Sequence, residues 1–262
     1  MPGILEALGS ARVFDLEQLR YAGAPSHPAH QPGFNYFLHR HHARGAAEAR
    51  TGASGIVVMP EHSGTHIDAL AHQAENLTLH GGVHVDSGVQ TSAGFRVLGI
   101  ETMAPLVARG VLLDVAGDKR LAPEHSITAE ELERAAAGAG VEVRSGDVVL
   151  VRTGYGALWS EPAEYLRGAG VSAAGSRWLI EKKVSAVGAD NLAWDVIGPT
   201  DPELGVTLPG HVLLLVRAGI PIIENLNLEE LAAAGVHEFG FVCLPLKMRG
   251  ATGSPVRPIA IA

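Results

Sequence analysis

Three histidines and one aspartate lie within the eleven residues from His62 to His72, in the order H-x3-H-x-D-x3-H. Imidazole and carboxylate groups are the donors that borderline divalent ions such as Zn²⁺ and Mn²⁺ accept. On a helix, a spacing of four residues would bring His62 and His66 together, whereas the Gly64-Thr65 pair would permit a tight bend instead. In either geometry two or three of the side chains converge, so the segment predicts a metal site.

A second group of histidines lies upstream, at His39, His41 and His42. A further metal site is one interpretation of this group, but the sequence places no carboxylate at ligand spacing beside it. We therefore interpret residues 34–42 as a polar and aromatic stretch that lines a pocket or faces solvent.

The segment HSGTHIDALAH resembles the H-x-G-T-H-x-D-x-P-x-H signature of the cyclase family of metal-dependent hydrolases, which includes bacterial kynurenine formamidase and isatin hydrolase. Leu70 stands where many members carry proline. That proline is not a ligand, so the change bears on the substrate and not on the metal. The resemblance continues through residues 208–211, 223–226, 245–247 and 250–257, and it therefore covers most of the chain.

The resemblance implies a set of metal ligands drawn from separate parts of the chain, which are His62, His66, Asp68, His211 and Glu224. They would hold one or two divalent ions, either Zn²⁺ or Mn²⁺. Without the resemblance, the position of Glu224 at the end of an apolar run favours a surface residue. If it is buried, its carboxylate needs a partner or a metal.

The resemblance also implies that His72 is the acid/base residue and that Tyr36 and Phe37 face the substrate. Two roles are open for Thr65. Its hydroxyl would either orient the substrate or hydrogen-bond to nearby backbone.

These residues predict a hydrolase that cleaves an amide C–N bond in an aryl formamide or a lactam. A bound ion would lower the pKa of its water from about 15.7 toward 7 and polarise the carbonyl, and a histidine would protonate the leaving nitrogen. Two alternatives remain open. One is a biosynthetic enzyme of the same fold that closes or opens a ring by dehydration, and the other is a non-catalytic protein that binds a metal or ligand.

The sequence lacks the motifs of three other kinds of site: a phosphate loop, a dinucleotide-binding site and a serine hydrolase. Residues 250–254 read Gly-Ala-Thr-Gly-Ser, which has neither the Lys-Ser/Thr ending of a phosphate loop nor the spacing of a dinucleotide site. No serine has the surroundings of a nucleophile elbow, so a serine hydrolase is not expected.

Composition and sequence patterns limit the classes of partner and the cell compartment expected for this protein. A net charge of -8 and a pI near 5.9 argue against nucleic acid and against anionic membranes as partners. The sequence contains no apolar run of membrane-spanning length and no signal-peptide order at its start, so we expect a cytoplasmic protein that acts on a small molecule. Its one cysteine, Cys243, fits a reducing compartment and lies in an apolar run that predicts a buried, inert thiol.

The pattern of the chain predicts one α/β domain over residues 1–262. Apolar runs predict strands near 55–59, 110–115, 147–153, 184–191, 220–226 and 239–244, and helices are expected from 128, over 172–183, at 212–218 and at 228–234. Thr128 and Glu131 have the spacing of a capping box. The resemblance implies a mixed β-sheet with flanking helices in a swivelling β/β/α arrangement, and a homodimer or homotetramer.

Overall fold

A nine-stranded mixed sheet forms the centre of the computed structural model, which describes residues 9–43 and 48–262. The strands are β1 Val13–Asp15, β2 Asn35–Arg40, β3 Ser54–Val58, β4 His66–Asp68, β5 Thr78–Leu79, β6 Val83–His84, β7 Gln90–Thr91, β8 Gly94–Phe95, β9 Leu106–Asp114, β10 Ser126–Ile127, β11 Val148–Arg152, β12 Gly170–Val171, β13 Ala186–Ala189, β14 Ile222–Glu224, β15 Glu238–Cys243, β16 Gly253–Pro255 and β17 Ile259–Ile261. The α-helices are α1 Ala129–Ala139, α2 Pro162–Tyr165, α3 Ala173–Glu181, α4 Pro209–His211 and α5 Glu229–Ala233, and a π-helix, Val212–Ala218, follows α4 directly.

The strand order in the sheet is β1-β17-β15-β9-β11-β13-β14-β4-β16. Strands β9, β11, β13 and β14 are parallel, and the strands on both sides of them pair antiparallel with their neighbours. Parallel strands carry near-continuous apolar sequences because both of their faces are covered. This explains why the sequence predicts these strands from apolar runs, and it confirms the mixed α/β fold.

Alternate residues of the central strands enter two separate cores. Val149 and Val151 of β11 pack with helices α1 and α3 and with the π-helix, whereas Val148 and Leu150 pack with β15, β17 and α5. Successive side chains of a strand point to opposite faces, so one apolar strand contributes to both layers. The sheet is thereby held from both sides.

The two longest α-helices begin at capping residues. The Thr128 hydroxyl accepts a hydrogen bond from the Glu131 backbone and the Glu131 side chain accepts one from the Thr128 backbone, so the predicted capping box is confirmed. Gly140, with φ of 66°, ends that helix in the left-handed conformation that glycine adopts without strain. Ser172 caps α3 by accepting a hydrogen bond from the Gly175 backbone.

Two elements differ from the helical expectation. The metal-motif segment forms a turn at Gly64, with φ of 64°, followed by strand β4, so the bend alternative is correct and the helix is not. The predicted helix at 212–218 is present as a π-helix that continues α4.

The predicted strand near 55–59 is also present, but it pairs only with β2 in a separate two-stranded hairpin. The side chains of β3 are exposed on both faces, unlike those of the central sheet. His39, His41 and His42 lie at the exposed end of β2 and beyond it, which agrees with their interpretation as a polar stretch.

Across the part of the chain that the structure describes, the helices are too short or too polar to cross a membrane.

Burial of Cys243 generates a first prediction. The side chain is fully buried and burial raises the pKa of its thiol to about 12. We expect no reaction of the folded protein with Ellman's reagent at pH 8 and one equivalent after unfolding in guanidinium chloride, because only the thiolate is nucleophilic. Rapid labelling of the folded protein would contradict the buried placement of β15.

Candidate metal centre and active site

Strand β4 brings one histidine and one aspartate of the expected metal site together. His66 and Asp68 are two residues apart on β4 and therefore point to the same face. Strand β14 pairs antiparallel with β4 and places Glu224 directly opposite His66. His211, at the end of helix α4, completes the cluster. All four side chains are buried.

The donor atoms of these four residues converge on a common space. His66 Nε2 lies 3.5 Å from Asp68 Oδ1 and 3.3 Å from Glu224 Oε2. His211 Nε2 lies 3.6 Å from Asp68 Oδ2 and 3.2 Å from Glu224 Oε1. Ligands held about 2.0–2.2 Å from a tetrahedral ion are separated by about 3.3–3.6 Å, so the observed spacing suits a divalent ion.

Two carboxylate oxygens support the same conclusion. Among the residues that the structure describes, no hydrogen bond reaches Asp68 Oδ2 or Glu224 Oε1, although both atoms are buried. Each of these oxygens has an ion-pair contact with His211 Nε2, but burying a carboxylate is costly, and native proteins pair it fully or bind a cation there. Both atoms belong to the converging donors, so this donor set fits Zn²⁺ or Mn²⁺.

Each histidine of the cluster is oriented through its other ring nitrogen. The Nδ1–H of His211 donates to Asp195 Oδ2 over 2.8 Å, and the Nδ1–H of His66 donates to the carbonyl of Gly64 over 2.8 Å. The backbone amides of Gly210 and His211 also donate to the Asp195 carboxylate. These contacts direct Nε2 of each ring toward the Glu224 and Asp68 carboxylates, as the outer partners of metal-binding histidines generally direct the ligand nitrogen.

His62 lies beside the cluster and is tied at both nitrogens. Its Nδ1 is 2.8 Å from Asp68 Oδ1, and its Nε2 is 2.8 Å from the hydroxyl of Thr252, which also contacts Glu61. Potential ligand atoms of His62, His66 and Asp68 lie within 4.8 Å of one another. His62 can therefore join a metal only by giving up one of its two hydrogen bonds.

His72 lies next to the cluster without a hydrogen bond to its carboxylates. Its ring centroid is 4.0 Å from that of His62 and 6.1 Å from that of His211. Burial lowers the pKa of His72 to about 3, against the opposing effect of Asp68. The ring is thus neutral near pH 7, and its burial disfavours the protonated form.

The carboxylates and the histidines of the cluster strongly shift one another's pKa values. Burial opposes ionisation of Asp68, but His72, His62 and His66 hold the pKa of that carboxyl far below its usual range. Burial also lowers the pKa of His211, but its contacts with Asp195 and Glu224 outweigh that effect and raise it well above the usual value. The cluster therefore carries ionised carboxylates, whose charge favours a cation beside them, either a protonated His66 or His211 or a bound metal ion.

A cavity of about 320 Å³ opens onto these residues. Its lining includes His62, His66, His72 and Glu224, together with residues 25–27, 29 and 30 of an N-terminal turn. This size falls at the lower end of the range for small-molecule sites. The cavity gives a small ligand access to the donor cluster.

Two residues of this lining, His27 and His30, are not part of any motif identified in the sequence. The available signal was the spacing His-Pro-Ala-His, in which a proline at the first position of a short 3₁₀ turn, Pro28–His30, directs two imidazoles to one region. Burial, followed by the neighbouring His62, lowers the pKa of His30 to about 4.

Three residues expected to contact the substrate do not line the cavity. Tyr36 and Phe37 are 53% and 57% exposed on the β2–β3 hairpin, which pairs with itself and not with the central sheet. Thr65 is buried. Its hydroxyl donates to the backbone carbonyl of Asn225 over 2.6 Å and accepts from the backbone amide of Gln18 over 2.8 Å. Of its two expected roles, Thr65 thus takes the one of bonding to backbone.

Asn225 joins several segments behind the metal cluster. It is buried in the left-handed conformation, with φ of 57°, where asparagine is better tolerated than most residues. Its Nδ2 donates to the Gly64 carbonyl, which also accepts a hydrogen bond from His66 Nδ1. Its Oδ1 accepts a hydrogen bond from the Tyr165 hydroxyl over 2.9 Å. Asn225 is therefore a positioning residue for His66.

Comparison with known proteins agrees with this geometry. Residues 14–196 match the model of the family described as "Putative cyclase", and this match spans more than half of the chain. The chain belongs to the cyclase family.

Similar proteins in the cyclase family include both plant and bacterial members. Cyclase-like protein 3 of Oryza sativa subsp. japonica is 28% identical over all of this chain and 84% of its own length. The isatin hydrolase of Roseibium aggregatum is 26% identical over 78% of this chain and 73% of its own length. The crystal structure of a novel cyclase aligns over all of this chain and 90% of its own with a TM-score of 0.86 and 27% identity.

The cyclase-family match ends before two of the donors. His211 and Glu224 lie beyond residue 196, so their place in the site rests on the distances above and not on the family model. The family match does include the H-x3-H-x-D-x3-H segment. The fold then adds the remaining donors through β14 and α4.

The position of Asn225 generates a second prediction. We expect Asn225→Gly to weaken the affinity for Zn²⁺ about 10- to 100-fold, because loss of an outer partner loosens the ligand it orients. Glycine keeps the left-handed backbone, so the variant isolates the amide side chain. Affinity would be measured by competition with a chelator, together with the melting temperature.

Tyr165→Phe is the matched variant. It removes only the hydroxyl that donates a hydrogen bond to Asn225 Oδ1, so it leaves the contact between Asn225 and Gly64 in place. We expect a smaller loss of affinity than in Asn225→Gly. Unchanged Zn²⁺ affinity in a folded Asn225→Gly protein would exclude a positioning role.

Proposed function

We propose that this protein hydrolyses the C–N bond of a small amide, an aryl formamide or a lactam, with Zn²⁺ or Mn²⁺. The observation that carries the proposal is the convergence of His66, Asp68, His211 and Glu224, with two orphaned carboxylate oxygens, beside an accessible cavity. When bound, the ion supplies Lewis acidity toward the carbonyl and makes water acidic enough to ionise near neutral pH.

His72 moves the proton in this proposal. It accepts a proton from the attacking water at a ring nitrogen and then gives that proton to the leaving nitrogen. Amide nitrogen is a poor leaving group unless it is protonated, so the second transfer is required. The position of His72 on the cavity wall beside His62 supports this role.

Amide hydrolysis is favoured here over a closed, non-catalytic metal site. A structural site is surrounded by protein ligands, whereas this cluster faces an accessible cavity. A member of the family from Roseibium aggregatum is an isatin hydrolase, which supports the same reaction type. Ring closure uses the same groups in the reverse direction.

The proposal predicts different outcomes for two histidine variants. His72→Ala should reduce turnover of isatin and formanilide by about 10²- to 10⁴-fold and keep its metal, because the variant loses proton transfer alone. His66→Ala should lose both turnover and metal. Turnover and the metal content by elemental analysis would be measured on protein purified without a histidine tag.

His84→Ala is the matched control, because it removes an exposed histidine away from the cavity. It should keep both metal and turnover. Full activity of His66→Ala and His72→Ala would refute the hydrolase proposal, and turnover only toward ring closure would favour the biosynthetic alternative.

We also propose that a second copy of this chain covers the β2–β3 hairpin. Six large apolar side chains of the hairpin are about half exposed on its two faces: Tyr36, Phe37, Leu38, Ile56, Val57 and Val58. A separate two-stranded hairpin is at best marginally stable in water, and homodimer interfaces are more apolar than the rest of a protein surface. A two-fold dimer meets both conditions with one self-complementary patch.

The dimer predicts a change in mass when the hairpin becomes charged. Phe37 and Ile56 are directly paired across the hairpin, so Phe37→Glu and Ile56→Glu place charge on one face. We expect light scattering after size exclusion to shift from twice the chain mass to 27.4 kDa. Leu19→Glu changes another exposed apolar residue outside the hairpin and should leave the dimer intact. A monomeric wild type would overturn the proposal.

A further inference from the structure

The turn at residues 27–30 presents a hydrogen-bond donor to the cavity. His27 caps the short 3₁₀ helix by accepting a hydrogen bond from the Ala29 amide at Nδ1, over 3.2 Å. A ring nitrogen that accepts this bond carries no proton, so the proton of the neutral ring lies on Nε2. His27 is among the residues that line the cavity.

His30 continues this wall toward the metal cluster. Its ring stacks on His62 with centroids 4.8 Å apart and an angle of 26° between the planes. It also lies 6.0 Å from His72 and 5.7 Å from His27, measured between ring centroids. The imidazoles therefore form a row from the turn to the acid/base residue, and flat rings suit a flat ligand.

The charges around the cavity bear on the ligand that this wall admits. Among the described residues that line it there is neither lysine nor arginine. The two carboxylates of the metal cluster, Asp68 and Glu224, balance the charge of one divalent ion. A carboxylate carried by the substrate would thus enter the cavity without a counter-charge, which is unfavourable in a partly buried site.

We propose that His27 and His30 determine specificity by admitting a planar amide that carries no carboxylate. The inference rests on the amide hydrolysis proposed above and names the substrate class of that site. The flat part of the substrate lies along His30, and a polar group away from the scissile bond accepts the Nε2–H of His27. Amides of amino acids, which carry a free carboxylate, are disfavoured.

Two formamides that differ by one group test this selection. Formanilide is uncharged, and N-formylanthranilate has the same scissile bond with a carboxylate on the ring. With the metal-loaded wild type at pH 8, we expect kcat/KM to favour formanilide by at least about tenfold, the size of one missing charged hydrogen bond.

His27→Arg supplies the missing cation and should reverse the selection. We expect the ratio of kcat/KM for N-formylanthranilate over formanilide to rise about tenfold or more, because guanidinium pairs with carboxylates through two hydrogen bonds. His84→Arg adds the same charge at an exposed site and should leave the ratio unchanged. His30→Phe keeps a flat ring and should change KM for formanilide less than His30→Ala does.

Calorimetric binding of both formamides to metal-loaded wild type, His72→Ala and His27→Arg separates this inference from the hydrolase proposal. Turnover of both compounds with equal kcat/KM, or an unchanged ratio in His27→Arg, overturns the selection and leaves the hydrolase standing. Binding without turnover, with the preference reversed by His27→Arg, supports the selection and overturns the hydrolase. Binding of neither compound overturns the selection.

Discussion

The pairing of β4 with β14 buries two carboxylates, Asp68 and Glu224, in one small space, and this charge is the constraint on which the site depends. Removing the partner of a buried charge typically costs about 3–5 kcal/mol, a large part of the stability of a single domain. His66 and His211 offset part of this charge, but each carboxylate keeps one oxygen without a hydrogen bond. A divalent cation bound here would balance this charge, so it would stabilise the fold as well as take part in the proposed reaction.

Holding such a cluster requires rigid support from segments that are distant in sequence. Asp195 orients His211 through its ring and through two backbone amides, and Asn225 links Gly64, behind His66, to Tyr165. These supporting groups are themselves buried and hydrogen-bonded. Their arrangement explains why ligands from different elements keep a spacing suitable for a metal.

The open side of the cluster is built differently from the closed side. The floor comes from strands and a helix end, whereas the facing wall comes from the short turn around His27 and His30. A turn can change its side chains without disturbing the sheet, since few core contacts depend on it. This division allows the metal chemistry to stay constant within a fold while the turn alters which ligand enters.

How much of this could be predicted from sequence differs between elements. The apolar runs of β9, β11 and β13 and the Thr128 cap specify their structure locally, so the layered α/β fold followed from the pattern. The strands at 54–58 and at β11 have similar β-branched sequences, yet one is exposed and the other is buried. Burial depends on which other elements pack against a strand, and local sequence does not contain that information.

The same distinction holds at the site. Sequence alone determined the donor types in the segment from His62 to His72, because ligand chemistry is a local property, but it left a helix and a bend at Gly64 both open until the structure showed the bend. Only the tertiary structure decided that Glu224 is a buried donor, that Thr65 serves the backbone, and that His27 and His30 face the metal cluster. The physical reason is that these roles arise from strand register and from a turn packed across the cavity, which join residues up to about two hundred positions apart.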